Sequence, residues 1–193
     1  MTARPDRIDM AVMSMPHTTP RRPIDQVEAG RSFFAELDLD VSHFAAMWHS
    51  LKVGQLLETD LNRISGAHGL SIADFHLLGA LMIDAPAPLR ATDLALALTV
   101  SNAVLTGRIA NLERKGLVTR APSATDRRAM MVHLTDAGAD KVKVVGAALE
   151  QEGRFICHYH RLPEEDQQAL ARIMGELHTL LDRDFLPVTR PKP

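Results

Sequence analysis

Five polar side chains lie outside the apolar stripe of a helix predicted between residues 101 and 115. They are short hydrogen-bonding groups and one cation: Ser101, Asn102, Thr106, Arg108 and Asn111. Hydroxyl and amide groups can exchange hydrogen bonds with base edges, and a guanidinium group pairs with phosphate or with guanine. The same helix carries Leu105, Ile109 and Leu112, whose spacing predicts a buried stripe. The pattern therefore indicates a helix that packs on one side and offers nucleic-acid contacts on the other.

The elements around this helix are predicted from capping and periodicity. Ser101 is a good N-cap, and Gly116 stands where a left-handed C-terminal cap is expected. A shorter helix, Thr92 to Leu98, comes just before it, and two β-prone segments, Leu117–Arg120 and Met130–Leu134, come after it. A helix, a short turn, a second helix and a β-hairpin form the order of a winged helix-turn-helix, whose second helix enters the major groove of DNA.

The charge distribution agrees with a local DNA-binding surface. The whole chain has a net charge of −2, but the segment from Ser101 to His133 carries +4 and the remaining residues −6. A basic patch on an otherwise acidic protein favours binding of a polyanion at that patch rather than over the whole protein surface.

The flanking segments are predicted to be mostly helical. With the hairpin, they give a mainly α fold with a small β wing (α+β). The predicted organisation is a flexible arm (1–23), an added N-terminal helix (24–41), long flanking helices (42–70 and 136–186), a winged helix-turn-helix lobe (71–135) and a tail (187–193).

Composition limits the class of protein further. Hydrophobic residues make up 46% of the chain and aromatic residues only 4%, a palette that suits helix-on-helix packing. The sequence has no apolar run of about 18 residues and no signal-peptide core, so we expect a soluble, cytoplasmic protein without a membrane span. The single cysteine, Cys157, excludes a disulfide within the chain.

Residues 94–138 resemble a known family of regulators. The segments NLERKGLVTR and DRRAMMVHLTDAG, with the spacing between them, are similar to the core of the MarR (multiple antibiotic resistance regulator) family, and the resemblance extends over about residues 43–185. It implies a homodimeric DNA-binding transcriptional regulator, usually a repressor, on a pseudo-palindromic site, with a dimerisation lobe built from the N- and C-terminal helices (dimerisation helices 42–70 and 136–186). It also implies that Arg127 enters the minor groove from the wing, while Asp126 and Arg128 brace the wing. The resemblance leaves open which of the two arginines has which role.

A narrower resemblance concerns the helix before the shared core. The urate-responsive branch of the family adds such a helix and binds its ligand with a Trp, an Asp and two arginines. Arg108 and Arg120 match the two arginines, but Ser32 or Phe33 falls near the Trp position and His76 replaces the Asp. The sequence therefore predicts a different small-molecule effector, aromatic or anionic, rather than urate.

The effector site is predicted between the long helix and the DNA-binding lobe. Aromatic rings and thioethers supply apolar walls there, and imidazole or guanidinium groups supply polar handles. The candidate ligand-binding residues are His43, Met47, Trp48, His49, Phe75, His76 and Arg120. Core packing remains an alternative role for Met47 and Trp48.

Other functions find weaker support in the sequence. Cys157, His158 and His160 do not converge on one helix face, so neither a metal site nor a cofactor is expected, and the thiol is expected to be a buried structural cysteine rather than a redox sensor. No nucleophile–base pair or phosphate-binding loop indicates an enzyme. The alternative function is a winged-helix protein-interaction module without specific DNA binding.

Overall fold

The computed structural model describes residue 22 and residues 24–85, 87–123, 126 and 129–185. Its elements follow in chain order: α1 (Gln26–Ala35), α2 (Phe44–Ala67), α3 (Ile72–Ile83), β1 (Leu89–Arg90), α4 (Ala91–Ala97), α5 (Asn102–Arg114), β2 (Val118–Pro122), β3 (Met130–Leu134), α6 (Asp136–Glu152), α7 (Arg154–Tyr159) and α8 (Glu164–Phe185). The chain forms two compact units, residues 1–55 and 56–193, each with its own packing.

The first unit is held together by aromatic rings. Phe44 at the start of α2 is buried, and its ring centroid lies 5.5 Å from that of Phe34 on α1 and 5.9 Å from that of Trp48. Gly30 permits this packing, because a Cβ there would lie 2.6 Å from the tip of the Phe44 ring. Within the segment 24–41, predicted as an added N-terminal helix, the structure has the helix α1 over Gln26–Ala35, which packs on the start of α2.

The core of the second unit lies where α3, α4 and α5 meet the sheet and α6. Its most deeply buried aliphatic side chains are Ile64 of α2 and Leu77, Leu78, Leu81, Leu94, Leu105, Ile109, Leu112, Val118, Val132 and Val145. The predicted stripe of α5, Leu105, Ile109 and Leu112, is part of this core. Its burial fixes which face of α5 remains available for other contacts.

The sheet is larger than the sequence predicted. Both strands of the expected hairpin are present and antiparallel, with Val118 opposite Leu134. A third strand, β1, pairs with the outer side of β3, with Leu89 opposite Val132, giving the order β1-β3-β2. A two-residue strand has too little periodicity to be detected in a sequence.

The helix-turn-helix agrees closely with the prediction. The Ser101 hydroxyl accepts a hydrogen bond from the Val104 N–H at 3.3 Å, and Gly116 has a φ of 70°. Ser71 caps α3 in the same manner, by accepting from the Asp74 N–H at 3.0 Å. These side chains set where the helices begin and end.

Helical periodicity in the sequence predicts one long helix from Thr135 to about His160, and this prediction is wrong in one respect, because the helix is broken at Gly153. α6 ends at Glu152, Gly153 is extended (ψ 116°), and the separate helix α7 follows. A Cβ on Gly153 would lie 2.4 Å from the Leu149 carbonyl oxygen. The close approach explains why glycine stands at the break.

No single described helix is both long and apolar enough to cross a membrane, although α2 and α3 meet the length and composition criteria when joined across their bend.

Candidate nucleic-acid interface

The candidate DNA-binding residues of α5 lie on the face left free by the core. Ser101, Asn102 and Thr106 are exposed, and Arg108 and Asn111 are half-buried. The Thr106 hydroxyl donates to the Asn102 carbonyl at 2.7 Å, which leaves its oxygen lone pairs to accept from a donor. The Asn111 side-chain oxygen accepts from Arg114 at 3.1 Å. All five residues lie outside the buried stripe of α5, with Asn102 and Thr106 on one flank of it and Arg108 and Asn111 on the other.

The wing is fixed at its base by a residue that the sequence did not single out. The Arg90 guanidinium of β1 lies 3.7 Å from the Asp126 carboxylate, and both side chains are nearly half exposed. The Asp126 N–H donates to the Ser123 hydroxyl at 3.3 Å. Asp126 thus pairs with Arg90, which only the third strand brings close, and its bracing role stays a prediction. Arg127, predicted to enter the minor groove, and Arg128, predicted to brace the wing, lie outside the described residues.

A second ion pair joins α5 to the sheet. The Arg120 guanidinium on β2 donates to the Glu113 carboxylate from both Nε and a terminal nitrogen, the first at 2.9 Å. The hydrogen bond and the positive charge of Arg120 lower the pKa of Glu113, and the carboxylate raises the pKa of Arg120 in return. The pair links the C-terminal part of the candidate DNA-binding helix to the strand that leads into the wing.

The predicted ligand-binding residues are divided between the two units. In the first unit, His43, Met47 and His49 are exposed at the start of α2, and Trp48 stacks on Phe44 with the Lys52 ammonium 5.1 Å from its ring centroid. Core packing of Met47, the alternative role, is wrong, because its side chain is 56% exposed in this chain.

In the second unit, Phe75 and His76 line an open groove with a volume of about 850 Å³. The remaining walls come from α3, the end of α4 and α6: Gly79, Ala80, Met82, Ile83, Ala97, Leu98, Thr99 and Val142. Arg120 is not among the residues that line it. The groove is mostly apolar, with His76 and Thr99 as its polar members.

Cys157 corrects a sequence expectation. It was expected to be buried, but it is exposed on the short helix α7. None of the residues of α7 is buried within this chain, and helical periodicity in the sequence does not reveal this exposure. Among the described residues, no group of three or more His, Cys, Asp and Glu side chains could hold a metal ion.

Comparison with known proteins places these observations in a wider context. Residues 68–129 match the family model described as MarR family. The HTH-type transcriptional regulator PecS of Dickeya dadantii (strain 3937) is 28% identical over 142 residues, which is 72% of this chain and 84% of PecS. These relatives are transcriptional regulators, which agrees with the prediction that the chain is not an enzyme.

Two solved structures share the fold. AbsC, a MarR family transcriptional regulator from Streptomyces coelicolor, is 24% identical, with a TM-score of 0.63 over 74% of this chain and 97% of AbsC. The MepR protein of S. aureus, solved as a complex with DNA, is 20% identical, with a TM-score of 0.62 over 69% of this chain and 96% of MepR. The similarity confirms the winged-helix fold class.

Proposed function

We propose that this winged helix-turn-helix chain, whose residues 68–129 match the MarR family model, is a ligand-responsive transcriptional repressor that binds a pseudo-palindromic operator as a homodimer. The observation that carries the proposal is the two-sided character of α5. Its apolar stripe is buried, while its capped N-terminus and the polar groups of Ser101, Asn102 and Thr106 are exposed. A helix held in this way offers hydrogen-bonding groups and a positive dipole end to a duplex. The protein acts in the cytoplasm, where its DNA lies.

The homodimer is supported by the exposed apolar face of α8, which belongs to the predicted dimerisation helices (42–70 and 136–186). Five large apolar side chains at helical spacing are each between 37% and 51% exposed in the single chain: Leu170, Ile173, Met174, Leu177 and Leu181. A continuous apolar stripe of this kind is costly in water, and a second copy of the same helix would cover it. Two copies related by a two-fold axis would present two α5 helices to successive major grooves.

DNA binding is tested by fluorescence anisotropy with the duplex upstream of the protein's own gene and a random duplex of equal length. We expect a preference for the upstream duplex and a log affinity that falls steeply with log salt. Arg108→Met, Arg127→Ala and Arg128→Ala should weaken binding, whereas Lys143→Met on the exposed side of α6 should not. Equal binding of both duplexes, with full activity of the three arginine variants, would favour the protein-interaction module instead.

The effector site is proposed in the groove beside Phe75 and His76. Neither lysine nor arginine occurs among the described residues that line it, so an uncharged aromatic compound fits it better than an anion does. Gly79 lies in the groove wall, and a Cβ there would meet nothing within 4 Å. Gly79→Leu should therefore fill the groove while favouring the helix.

Binding to the groove is measured by thermal shift with 2-naphthol and 2-naphthoate as probes. The wild-type protein should be stabilised more by the naphthol, Gly79→Leu should lose the shift, and Gly66→Leu, at an open position near the end of α2, should keep it. An equal shift in Gly79→Leu and the wild-type protein would place the effector elsewhere.

A further inference from the structure

Lys115, the residue that ends α5, reaches across to a distant turn. Its ammonium Nζ donates a hydrogen bond of 2.8 Å to the Gly69 carbonyl oxygen, in the turn that follows α2. Gly69 has a φ of 77°, a conformation natural to glycine, and this conformation helps to place its carbonyl. The contact joins the candidate DNA-binding helix to the long helix α2.

A second lysine binds the adjacent carbonyl. Lys141 of α6 donates from Nζ to the His68 carbonyl oxygen at 3.2 Å. The last turn of a helix leaves carbonyl groups without intrahelical partners and carries a partial negative charge, so two ammonium groups are well placed there. The end of α2 is thereby connected to both α5 and α6.

The end of α5 has a third connection, to the start of α6. The Thr135 hydroxyl donates to the Gly116 carbonyl at 2.8 Å, and the Thr135 N–H donates to the Leu117 carbonyl at 3.2 Å. Lys115 thus belongs to a set of hydrogen bonds that fixes where α5 lies relative to α2 and α6, a set made of neighbouring residues of one compact unit.

We infer that Lys115 is a positioning residue for DNA binding, which holds α5 in the orientation that fits the major groove and does not bind a phosphate. An exposed lysine on a DNA-binding helix would ordinarily be assigned to the phosphate backbone. Here its ammonium group already has a partner at 2.8 Å that belongs to the protein. The inference rests on the proposed function, because it concerns how α5 is presented to DNA.

The two roles differ in what they do to specific and nonspecific binding. A phosphate contact contributes to every duplex and adds about one unit to the slope of log affinity against log salt. A positioning residue acts through the base contacts of α5, so its loss weakens only the duplex whose bases are recognised. We therefore compare a duplex selected by the wild-type protein from a random pool with a random duplex of the same length.

Lys115→Met should weaken binding of the selected duplex by about tenfold, and leave both the random duplex and the salt slope unchanged. Lys115→Arg, which can still donate to the Gly69 carbonyl, should restore most of the affinity. Lys141→Met should resemble Lys115→Met in direction. Arg108→Met is the comparator for a direct contact, with an expected fall in the salt slope.

Three results would overturn the inference. Equal weakening of both duplexes with a smaller salt slope would make Lys115 a phosphate contact. Wild-type affinity in Lys115→Met would remove any role in binding. A loss of affinity explained by the unfolded fraction, from thermal unfolding in the same buffer, would make the residue structural only. If the wild-type protein selects no duplex, the proposed function itself fails, which is a separate result.

Discussion

The carboxylate of Asp60 on α2 accepts a hydrogen bond of 2.7 Å from the backbone N–H of Arg154, the first residue of α7. The same carboxylate accepts from the Arg63 guanidinium at 3.0 and 3.1 Å, and the Arg154 guanidinium lies 3.7 Å away. Gly153, the N-cap of α7, has no side chain that could accept a hydrogen bond from the first N–H groups of that helix. Asp60 therefore supplies from another helix the capping contact that the break at Gly153 leaves open.

The Asp60 contacts predict a loss of stability when the carboxylate is removed. Asp60→Ala leaves the Arg154 N–H and part of the Arg63 guanidinium without this partner, and should lower the free energy of unfolding by about 2 kcal/mol. Urea denaturation at neutral pH measures the change. Asp140→Ala is the control, because Asp140 forms an exposed pair with Lys143 and should change stability by less than about 0.5 kcal/mol.

The same carboxylate predicts a dependence on pH. The hydrogen bond from the Arg154 N–H, followed by those from Arg63, holds the pKa of Asp60 below its usual value despite its burial. A group with a lowered pKa stabilises the fold above its unfolded pKa, about 4, and this stability is lost as pH falls through the folded pKa. Asp60→Asn should therefore lose less stability than the wild-type protein as the pH falls below about 4. If the free energy of unfolding of the two proteins falls equally with pH, Asp60 does not contribute to this pH dependence.

Gly138 and Gly146, both on α6, make a matched pair for a packing prediction. A Cβ at Gly138 would lie 2.2 Å from the Leu117 carbonyl oxygen and 2.7 Å from Leu134, whereas one at Gly146 would meet nothing within 4 Å. Gly138→Ala should cost about 2 kcal/mol, because backbone must move, and Gly146→Ala should gain about 0.5 kcal/mol from helix propensity. Denaturant midpoints of the two variants measure these changes in stability. A Gly138→Ala variant more stable than the wild-type protein would contradict the close approach at Gly138.

The sequence was most informative where one short-range signal decides the structure. α5 begins after Ser101 and ends before Gly116, as predicted, because each of these residues acts on backbone groups within a few residues of itself. The buried stripe of α5 followed from helical spacing alone. The order of helices and strands then predicted a winged helix-turn-helix, and the family segments agreed with it.

The features that the sequence missed depend on residues far apart in the chain. Arg90 meets Asp126 only because β1 pairs with β3, and Arg120 meets Glu113 only because β2 turns back along α5. The break at Gly153 depends on a backbone approach that periodicity does not contain. Such relationships are set by tertiary packing, so local propensity could not reveal them.

Thr99, in the turn between α4 and α5, predicts a stabilising substitution. Its φ is 52°, a left-handed conformation that a β-branched residue rarely adopts. Thr99→Asn should raise the free energy of unfolding by about 0.5–1 kcal/mol, because asparagine tolerates this conformation better. Thr92→Asn, at an exposed position in α4, is the control and should have little effect. A lower thermal midpoint for Thr99→Asn than for the wild-type protein would show that the threonine side chain contributes more than its backbone costs.

The Glu113–Arg120 pair predicts a coupled effect on DNA binding, because it connects α5 to the strand that leads into the wing. Glu113→Gln and Arg120→Met should each weaken binding of the upstream duplex several-fold, and the double variant should be little weaker than either single one. Since Arg120 lowers the pKa of Glu113, the carboxylate stays charged and the effect should not change between about pH 5 and pH 8. Anisotropy titrations of the four proteins at both pH values measure the coupling. Strictly additive losses would mean that the two residues act separately.

Loss of the naphthol shift in Arg120→Met but not in Glu113→Gln would instead support the ligand-binding role that the sequence predicted for Arg120.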